Sequence, residues 1–181
     1  MITHSSVHEA PLGRIVSLRL YEDAGFPNNA SLPVLLYHQA FDLKDVDDPG
    51  ALIERVFACH GWSNGWRSGI YDFHHYHSTA HEVLGCYAGK ARVQLGGPSG
   101  PTLEFQRGDV LVIPAGVAHK NVEAGRSFRV VGAYANGADY DMNSGREGER
   151  PLADERIAQL PRPEADPVHG PSGPLLQHWR G

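Results

Sequence analysis

The chain of 181 residues has the length of one domain, with 41% hydrophobic residues, 20% charged residues and a formal net charge of −5. No apolar stretch approaches the ~20 residues of a membrane-spanning helix, and the negative charge argues against nucleic acid as a partner. The 21 glycines and 13 prolines favour a fold of many short strands joined by turns.

The N-terminal sequence and the two cysteines indicate the cellular compartment. The stretch MITHSSVHEAPLGRIV lacks the basic start and apolar core of a signal peptide. Cys59 and Cys86 could pair in principle, but two lone thiols in a cytosolic chain are the simpler interpretation. We therefore expect a cytoplasmic protein.

Two strands are predicted before the first helix. Residues 14–21, RIVSLRLY, form the first strand candidate, and the turn-rich loop FPNNAS follows it. The apolar run 33–41 is the second candidate, with Pro33 at its start, where a missing N–H is tolerated.

A helix is predicted in the sequence DDPGALIERVFACHGW. Asp48 can cap its N-terminus, Pro49 suits the first helical position, and Gly61 can end it. The residues expected to form its apolar stripe are Leu52, Val56 and Phe57.

The sequence from 66 to about 135 consists of short β-rich runs, separated by glycine-containing turns about every 8–12 residues. This spacing is typical of an antiparallel sandwich or barrel. The run 67–77 and the run 81–89 carry the histidines discussed below.

The sequence after residue 140 is polar and rich in proline, which predicts an arm with a short helix near 153–160. Its expected anchors to the core are Leu175, Leu176 and Trp179. We predict a single domain over 1–181. Its parts are N-terminal strands and a helix at 12–62, a barrel core at about 66–136, and a C-terminal arm at 140–181.

Four histidines lie within the stretch FHHYHSTAHEVLG. Residues i and i+2 of a strand share a face, so His75 and His77 project together and His74 projects to the other side. If the returning strand begins at Glu82, its carboxylate points to the same interior and His81 points away. A shift of one residue in the loop would exchange the directions of the two side chains, so His81 remains an alternative ligand.

A further ligand is expected from a distant part of the chain. His119 follows an apolar strand and a Pro-x-Gly turn that can direct it inward. A lone histidine is more often a surface or hydrogen-bonded core residue, but a histidine pair with a carboxylate and a distant histidine indicates a metal site. Such nitrogen and oxygen donors suit an octahedral first-row divalent metal with open positions, and no cysteine pair favours a thiolate metal.

The spacing of these residues resembles the first motif of the cupin superfamily, G-x5-H-x-H-x4-E-x6-G. Gly69, His75, His77, Glu82 and Gly89 occupy every fixed position.

The second cupin motif, G-x5-P-x-G-x2-H-x3-N, is matched by Gly108, Pro114, Gly116 and His119. Asn121 departs from it, because one residue instead of three separates it from the histidine. The role of Asn121 is therefore open, whereas His119 keeps its place in the motif.

The resemblance implies an all-β fold: the cupin double-stranded β-helix, a jelly-roll barrel of the RmlC-like kind, with one short N-terminal helix and extended terminal arms. It also implies that His75, His77, Glu82 and His119 bind one divalent transition metal in the barrel mouth, with Fe, Mn or Ni favoured and Zn a further option. The flanking sequences FPNNASLPVLLYHQAF and PVHGPSGPLLQHW resemble the bacterial YjlB-like cupins, a group whose resemblance supplies no reaction.

Two functions follow from such a site. The first is a metal-dependent enzyme that acts on a small, oxygen-bearing organic molecule as a dioxygenase, isomerase or decarboxylase. The second is a non-catalytic protein that binds or senses a small ligand, with the barrel mouth plugged by apolar side chains or by the C-terminal arm. A storage role fits poorly with an intact metal quartet. Tyr71, Tyr134 and Cys86 are conceivable acid–base helpers, although barrel-wall residues of this kind more often only pack.

The N-terminal strands suggest an oligomeric state. They precede the motif-bearing barrel and need an edge to pair with, since exposed strand edges favour aggregation. Addition of these strands to a neighbour's sheet would satisfy both edges, so we predict a homodimer.

Overall fold

The computed structural model describes residues 13–180 of the chain. Most of the N-terminal stretch used to predict the absence of a signal peptide, and residue 12 of the predicted N-terminal region, lie outside the described residues. Within 13–180, no helix is long and apolar enough to cross a membrane.

Residues 13–180 form nine strands and three helices. The strands are β1 (Ile15–Leu20), β2 (Asn29–Tyr37), β3 (Trp62–Ser68), β4 (Glu82–Ala88), β5 (Lys90–Leu95), β6 (Thr102–Gln106), β7 (Val110–Ile113), β8 (His119–Ala124) and β9 (Arg129–Ala135). The helices are α1 (Pro49–Cys59), α2 (Leu152–Gln159) and α3 (Pro174–His178).

The strands form two antiparallel sheets that face each other. One sheet has six strands in the order β1-β2-β7-β4-β9-β3, and the other has three in the order β6-β5-β8. This arrangement confirms the all-β fold of antiparallel strands that the regular strand spacing predicts.

The inner strands β4 and β7 of the six-stranded sheet are buried on both faces. Leu84 and Leu111 belong to an apolar cluster shared with the three-stranded sheet, whereas the alternate residues Val83 and Val112 pack with α1 and the C-terminal segment. All four residues of β7 are consequently buried, and its sequence is a continuous apolar run.

The helix α1 forms as predicted. The Asp48 carboxylate accepts the Ala51 N–H at 2.9 Å, Pro49 is the first helical residue, and Gly61 follows the helix with φ of +80°. The helix lies close against β4 because Gly85 has no side chain: a Cβ there would lie 2.6 Å from Ile53 Cγ2.

The second strand differs from its predicted bounds. β2 begins at Asn29, so that Pro33 lies inside the strand instead of at its start. The strand tolerates this because its pairing with β1 is irregular between Leu18 and Leu20, opposite the segment that contains Pro33. Pairing of β2 with β7 starts only at Leu35, so no ladder hydrogen bond to β7 is lost.

The predicted run 67–77 is not a continuous strand. Its first residues end β3, which begins earlier than expected, at Trp62. Further along, only His75 and Tyr76 make single β-bridges, to His119 and Asn143 respectively. The next residue, His77, makes no β-bridge with another described residue. Its carbonyl accepts the Gly116 N–H of the Pro-x-Gly turn at 2.8 Å.

The C-terminal arm contains the predicted helix α2 and the short α3, and its last residues anchor it to the core. Leu175 and Trp179 are buried, and Leu176 is half-buried. The Trp179 indole donates to the Pro33 carbonyl at 2.9 Å.

A fully buried carboxylate, Asp166, organises this anchor. It accepts the Tyr37 hydroxyl at 2.7 Å and the backbone N–H of Leu175, at the start of α3, at 3.0 Å. It also accepts the N–H groups of Val168 and His169 at 2.8 and 2.9 Å. Burial and the adjacent carboxylate raise the pKa of Tyr37, so the phenol stays a hydrogen-bond donor.

The N-terminal strands find a partner within their own chain. β2 pairs with β7, and β1 pairs with β2 as the end strand of the six-stranded sheet. The reason given for a homodimer therefore no longer applies to β2. Of β1 and β2, only β1 has an outer edge without a partner strand within residues 13–180, and the homodimer stays a prediction.

Candidate functional site

The structure brings together the four residues that the motifs single out. His75, His77, Glu82 and His119 are all at most 4% exposed, and they line one cavity. One ring nitrogen from each of the three histidines lies within 4.8 Å of the others.

Three different structural elements position these side chains. The backbones of His75 and His119 hydrogen-bond to each other in both directions, at 3.2 and 3.0 Å, which sets the two rings side by side with centroids 4.2 Å apart. His77 projects to the same side as His75, two residues further along. Glu82 is the first residue of β4 and shares a strand face with Leu84, which also lines the cavity.

Each histidine ring is held by a backbone carbonyl at Nδ1. The carbonyls belong to Phe73 for His75, Asp141 for His77 and Val117 for His119. A carbonyl can only accept a hydrogen bond, so Nδ1 carries a proton in all three rings, and in the neutral form of each ring the lone pair is on Nε2. This is the tautomer that a metal ligand needs, fixed by contacts on the side away from the cavity.

The Glu82 carboxylate presents one oxygen to the histidines and uses the other for support. Its Oε2 lies 3.1 Å from His119 Nε2 and 3.5 Å from His77 Nε2, yet this buried atom has no hydrogen-bond partner among the described residues. Its Oε1 accepts the Tyr134 hydroxyl at 3.2 Å, and that hydroxyl accepts the Trp66 indole N–H at 2.9 Å.

The protonation of the cluster is set by burial and by mutual charge. Burial lowers the pKa of His75 to about 3, and the neighbouring His119 adds to the shift. Burial also disfavours charge on His77, but the Glu82 carboxylate more than offsets it and raises that pKa. Burial alone would raise the pKa of Glu82, but the His77 and His119 imidazoles outweigh it and hold the pKa below its usual range. Near neutral pH, the cluster therefore offers an ionised carboxylate and, at His75, a neutral imidazole.

The cavity above the four residues has a volume of about 380 Å³. Tyr71, Tyr140 and Met142 line it and are 41–55% exposed, so the cavity reaches the protein surface at these residues. The rest of its wall is mostly apolar. It consists of Trp66, Ile70, Leu84 and Tyr134, with Ser68 and Gly69.

The remaining residues of the sequence analysis lie elsewhere. His81 is buried outside the cavity, where its Nδ1 accepts the Ala115 N–H at 3.0 Å and its ring packs against Trp179. His74 also lies outside the cavity, next to Phe26.

Of the three conceivable acid–base helpers, Tyr71 and Tyr134 line the cavity, whereas the buried Cys86 does not and donates to the Ala88 carbonyl. Cys59 is likewise a free thiol, as expected. Asn121 lies on β8 outside the cavity, and its backbone N–H donates to the Tyr71 carbonyl at 2.8 Å.

Three residues of the site were missed because they belong to the segment predicted as an arm. Tyr140 and Met142 line the cavity, and Asp141 fixes the loop that follows His77. The Asp141 carboxylate accepts the N–H and hydroxyl groups of Ser78 and Thr79. An acidic residue flanked by a tyrosine and a methionine soon after the last strand was the only signal, and no spacing rule links it to the histidines.

Comparison with known proteins agrees with this geometry. The family model described as Cupin matches residues 69–140. The uncharacterized protein YjlB of Bacillus subtilis (strain 168) is 42% identical over 158 residues, which cover 87% of this chain and 92% of that protein. The chain belongs to the cupin superfamily. The resemblance to YjlB-like cupins that the sequence suggests is thereby confirmed, and the two sheets are those of a jelly-roll cupin.

Solved structures similar to this cupin include a plant globulin and a DUF861 family protein. Recombinant pro-11S globulin of pumpkin is 26% identical, with a TM-score of 0.37, over 44% of this chain and 22% of that one. A DUF861 family protein from Thermotoga maritima is 20% identical, with a TM-score of 0.33, over 46% of this chain and 88% of that one. This cupin thus spans about a fifth of the globulin's length.

The donor atoms of this cupin fit a transition metal. Three Nε2 lone pairs and the unpartnered Glu82 Oε2 are buried together, a combination that is costly unless a cation or protons occupy the space between them. The set contains imidazole and carboxylate but no thiolate, since Cys86 lies outside the cavity.

Proposed function

We propose that His75, His77, Glu82 and His119 hold one divalent transition metal, and that the protein is a metal-dependent enzyme acting on a small, oxygen-bearing organic molecule. One observation carries this proposal. A backbone carbonyl at Nδ1 directs Nε2 of all three imidazoles inward as the donor atom of the neutral ring, and these atoms share a surface-connected cavity with the unpartnered Glu82 Oε2.

The donor set favours iron, manganese or nickel. Three imidazoles and one carboxylate occupy about four positions of an octahedral metal and leave open positions for a ligand. Zinc is a further option, although it more often takes four-coordinate geometry. When bound, the metal supplies a Lewis acid or an electron carrier for dioxygenase, isomerase or decarboxylase chemistry.

The protein's own residues hold the donors in place. Backbone carbonyls hold the imidazoles, while the Trp66 indole and the Tyr134 hydroxyl orient Glu82. Burial and the Glu82 carboxylate raise the pKa of Tyr134, so its hydroxyl remains protonated and supports the carboxylate. Tyr134 is thus better suited to positioning Glu82 than to removing a proton from a ligand.

A non-catalytic role in binding or sensing a small ligand is the second candidate. The predominantly apolar cavity wall favours it, because an enzyme of the proposed kind is expected to have a more polar wall. The exposure of Tyr71, Tyr140 and Met142 favours the enzyme, because the C-terminal segment contributes to the mouth without filling the cavity.

Turnover should depend on the metal. We would load the untagged protein with Fe(II), Mn(II), Ni(II) or Zn(II) and supply catechol, a small hydroxyketone or oxalate, one probe for each reaction type. Mass spectrometry is expected to detect a product for at least one combination of metal and probe. Conversion should fall to background after chelation and return when the metal is restored.

The alternatives give different results in this assay. Conversion that survives complete removal of the metal would contradict the proposed function. Binding of a probe without conversion by any loaded form would favour the sensor.

We also propose that the protein is cytoplasmic and forms a homodimer. The free Cys59 and Cys86 are consistent with a reducing cytoplasm. The outer edge of β1, which has no partner strand within residues 13–180, is the place where two chains could join in a homodimer. Sedimentation that shows only monomer would remove the dimer.

A further inference from the structure

The cavity wall away from the proposed metal carries almost no charge. Within the described part of the chain, neither lysine nor arginine lines the cavity, and Glu82 is the one carboxylate in its wall. A metal dication beside Glu82 leaves a net charge of about +1 for the ligand atoms that bind it. A second anionic group on the ligand would therefore be buried without a counter-charge, which is strongly unfavourable.

The same wall is rich in flat aromatic surfaces. Trp66, Tyr71, Tyr134 and Tyr140 all line the cavity. The rings of Tyr134 and Tyr140 stack with centroids 4.3 Å apart and planes 21° from parallel, so Tyr140 continues an ordered aromatic surface from the buried wall to the mouth. Aromatic rings prefer such stacked or edge-on neighbours, which stabilise a bound ring beyond the contribution of buried area.

The size of the cavity limits the ligand further. Its volume of about 380 Å³ is near the lower end of the ~300–1,000 Å³ found for small-molecule sites. One substituted ring fits such a space, but an extended molecule does not.

We propose that the ligand is a small aromatic molecule with two adjacent oxygen donors, of the catechol class, and with no other charged group. The two oxygens would face the metal, and the ring would lie among the aromatic side chains. The inference that the ligand has two adjacent oxygen donors rests on the proposed function. The inference that the rest of the ligand is an uncharged aromatic ring rests only on the residues that line the cavity. Tyr140, which lies at the mouth, is inferred to determine the preference for a ring.

Equilibrium binding tests this proposal without reference to turnover. Anaerobic titrations of metal-loaded and metal-free protein would use catechol, cis-1,2-cyclohexanediol and oxalate as probes. The diol has the two oxygens without an aromatic ring, and oxalate has the oxygens with two charges. Catechol should bind metal-loaded protein at least about tenfold more tightly than either of the other probes.

Tyr140→Ala and Tyr21→Ala form a matched pair of variants. Both remove an exposed tyrosine, but only Tyr140 lines the cavity. Tyr140→Ala should weaken catechol binding several-fold to about tenfold with little change for cyclohexanediol, and Tyr21→Ala should change neither.

The outcomes separate this proposal from the proposed function. If the protein binds metal but prefers oxalate or cyclohexanediol to catechol, the aromatic ligand class is wrong and the metal site stands. If the protein binds no metal but still prefers catechol to cyclohexanediol, the inference of an uncharged aromatic ligand holds and the proposed function is wrong. Equal catechol affinity in Tyr140→Ala and wild type would overturn the role of Tyr140.

Discussion

Replacement of His119 by asparagine is expected to empty the proposed metal site. The variant loses the Nε2 donor that faces Glu82, while the asparagine amide can still donate to the Val117 carbonyl in place of Nδ1–H. Metal affinity should fall by at least about a hundredfold, since even residues that only orient metal ligands contribute about 10–100-fold. Elemental analysis should show about one metal per chain in the wild type and a small fraction of that in His119→Asn.

The matched control is the same substitution at His81, a second buried histidine near the site. An asparagine oxygen can accept the Ala115 N–H as His81 Nδ1 does, and His81 lies outside the cavity. His81→Asn should therefore keep its metal even if some stability is lost. Full metal content in His119→Asn, or loss of metal in both variants to the same degree, would contradict the assignment of ligands.

Replacement of Asp166 by alanine should cause a large loss of stability. The variant leaves the Tyr37 hydroxyl and three backbone N–H groups, those of Val168, His169 and Leu175, without their buried acceptor. Each orphaned donor costs about 1–3 kcal/mol when relaxation does not rescue it. We expect the free energy of unfolding to fall by about 3–5 kcal/mol, measured by urea denaturation.

Two further variants calibrate this measurement. Tyr37→Phe removes one of the four donors and should cost about 1–2 kcal/mol. Asp72→Ala removes an exposed carboxylate and should change stability by no more than about 0.5 kcal/mol. If Asp166→Ala costs less than Tyr37→Phe, Asp166 does not anchor the C-terminal segment.

Strand parity was sufficient to predict that His75 and His77 share the cavity. His75 and His77 lie two residues apart, so a single extended segment places both on one side even though only a short β-bridge forms there. Parity also assigned Glu82 to the interior and His81 to the opposite face, and the structure resolves the ambiguity about the loop in favour of this assignment.

The supporting residues could not be predicted in the same way. The contacts of Asp141 with Ser78 and Thr79 join parts of the chain more than 60 positions apart. The contact of Tyr140 with Tyr134 crosses a turn that has no regular periodicity. Periodicity describes one element at a time, and such contacts depend on how the C-terminal segment folds back over the barrel.

The sequence also could not predict which distant strands pair with each other. The apolar pattern predicts β2 as a strand but does not identify β7 as its neighbour, so the partner was sought in another chain. The internal pairing shows that the edge of β2 is satisfied within the chain, and it leaves β1 as one of the two edge strands of the six-stranded sheet, with β3 as the other.

The most direct test of the proposed metal site is an anomalous-difference map from a crystal of the metal-loaded, untagged protein, recorded at the absorption edge of the metal. The proposal predicts one dominant peak per chain, bounded by Nε2 of His75, His77 and His119 and by a carboxylate oxygen of Glu82. A dominant peak at any other position, or no peak in crystals of protein that carries one metal per chain in solution, would contradict it.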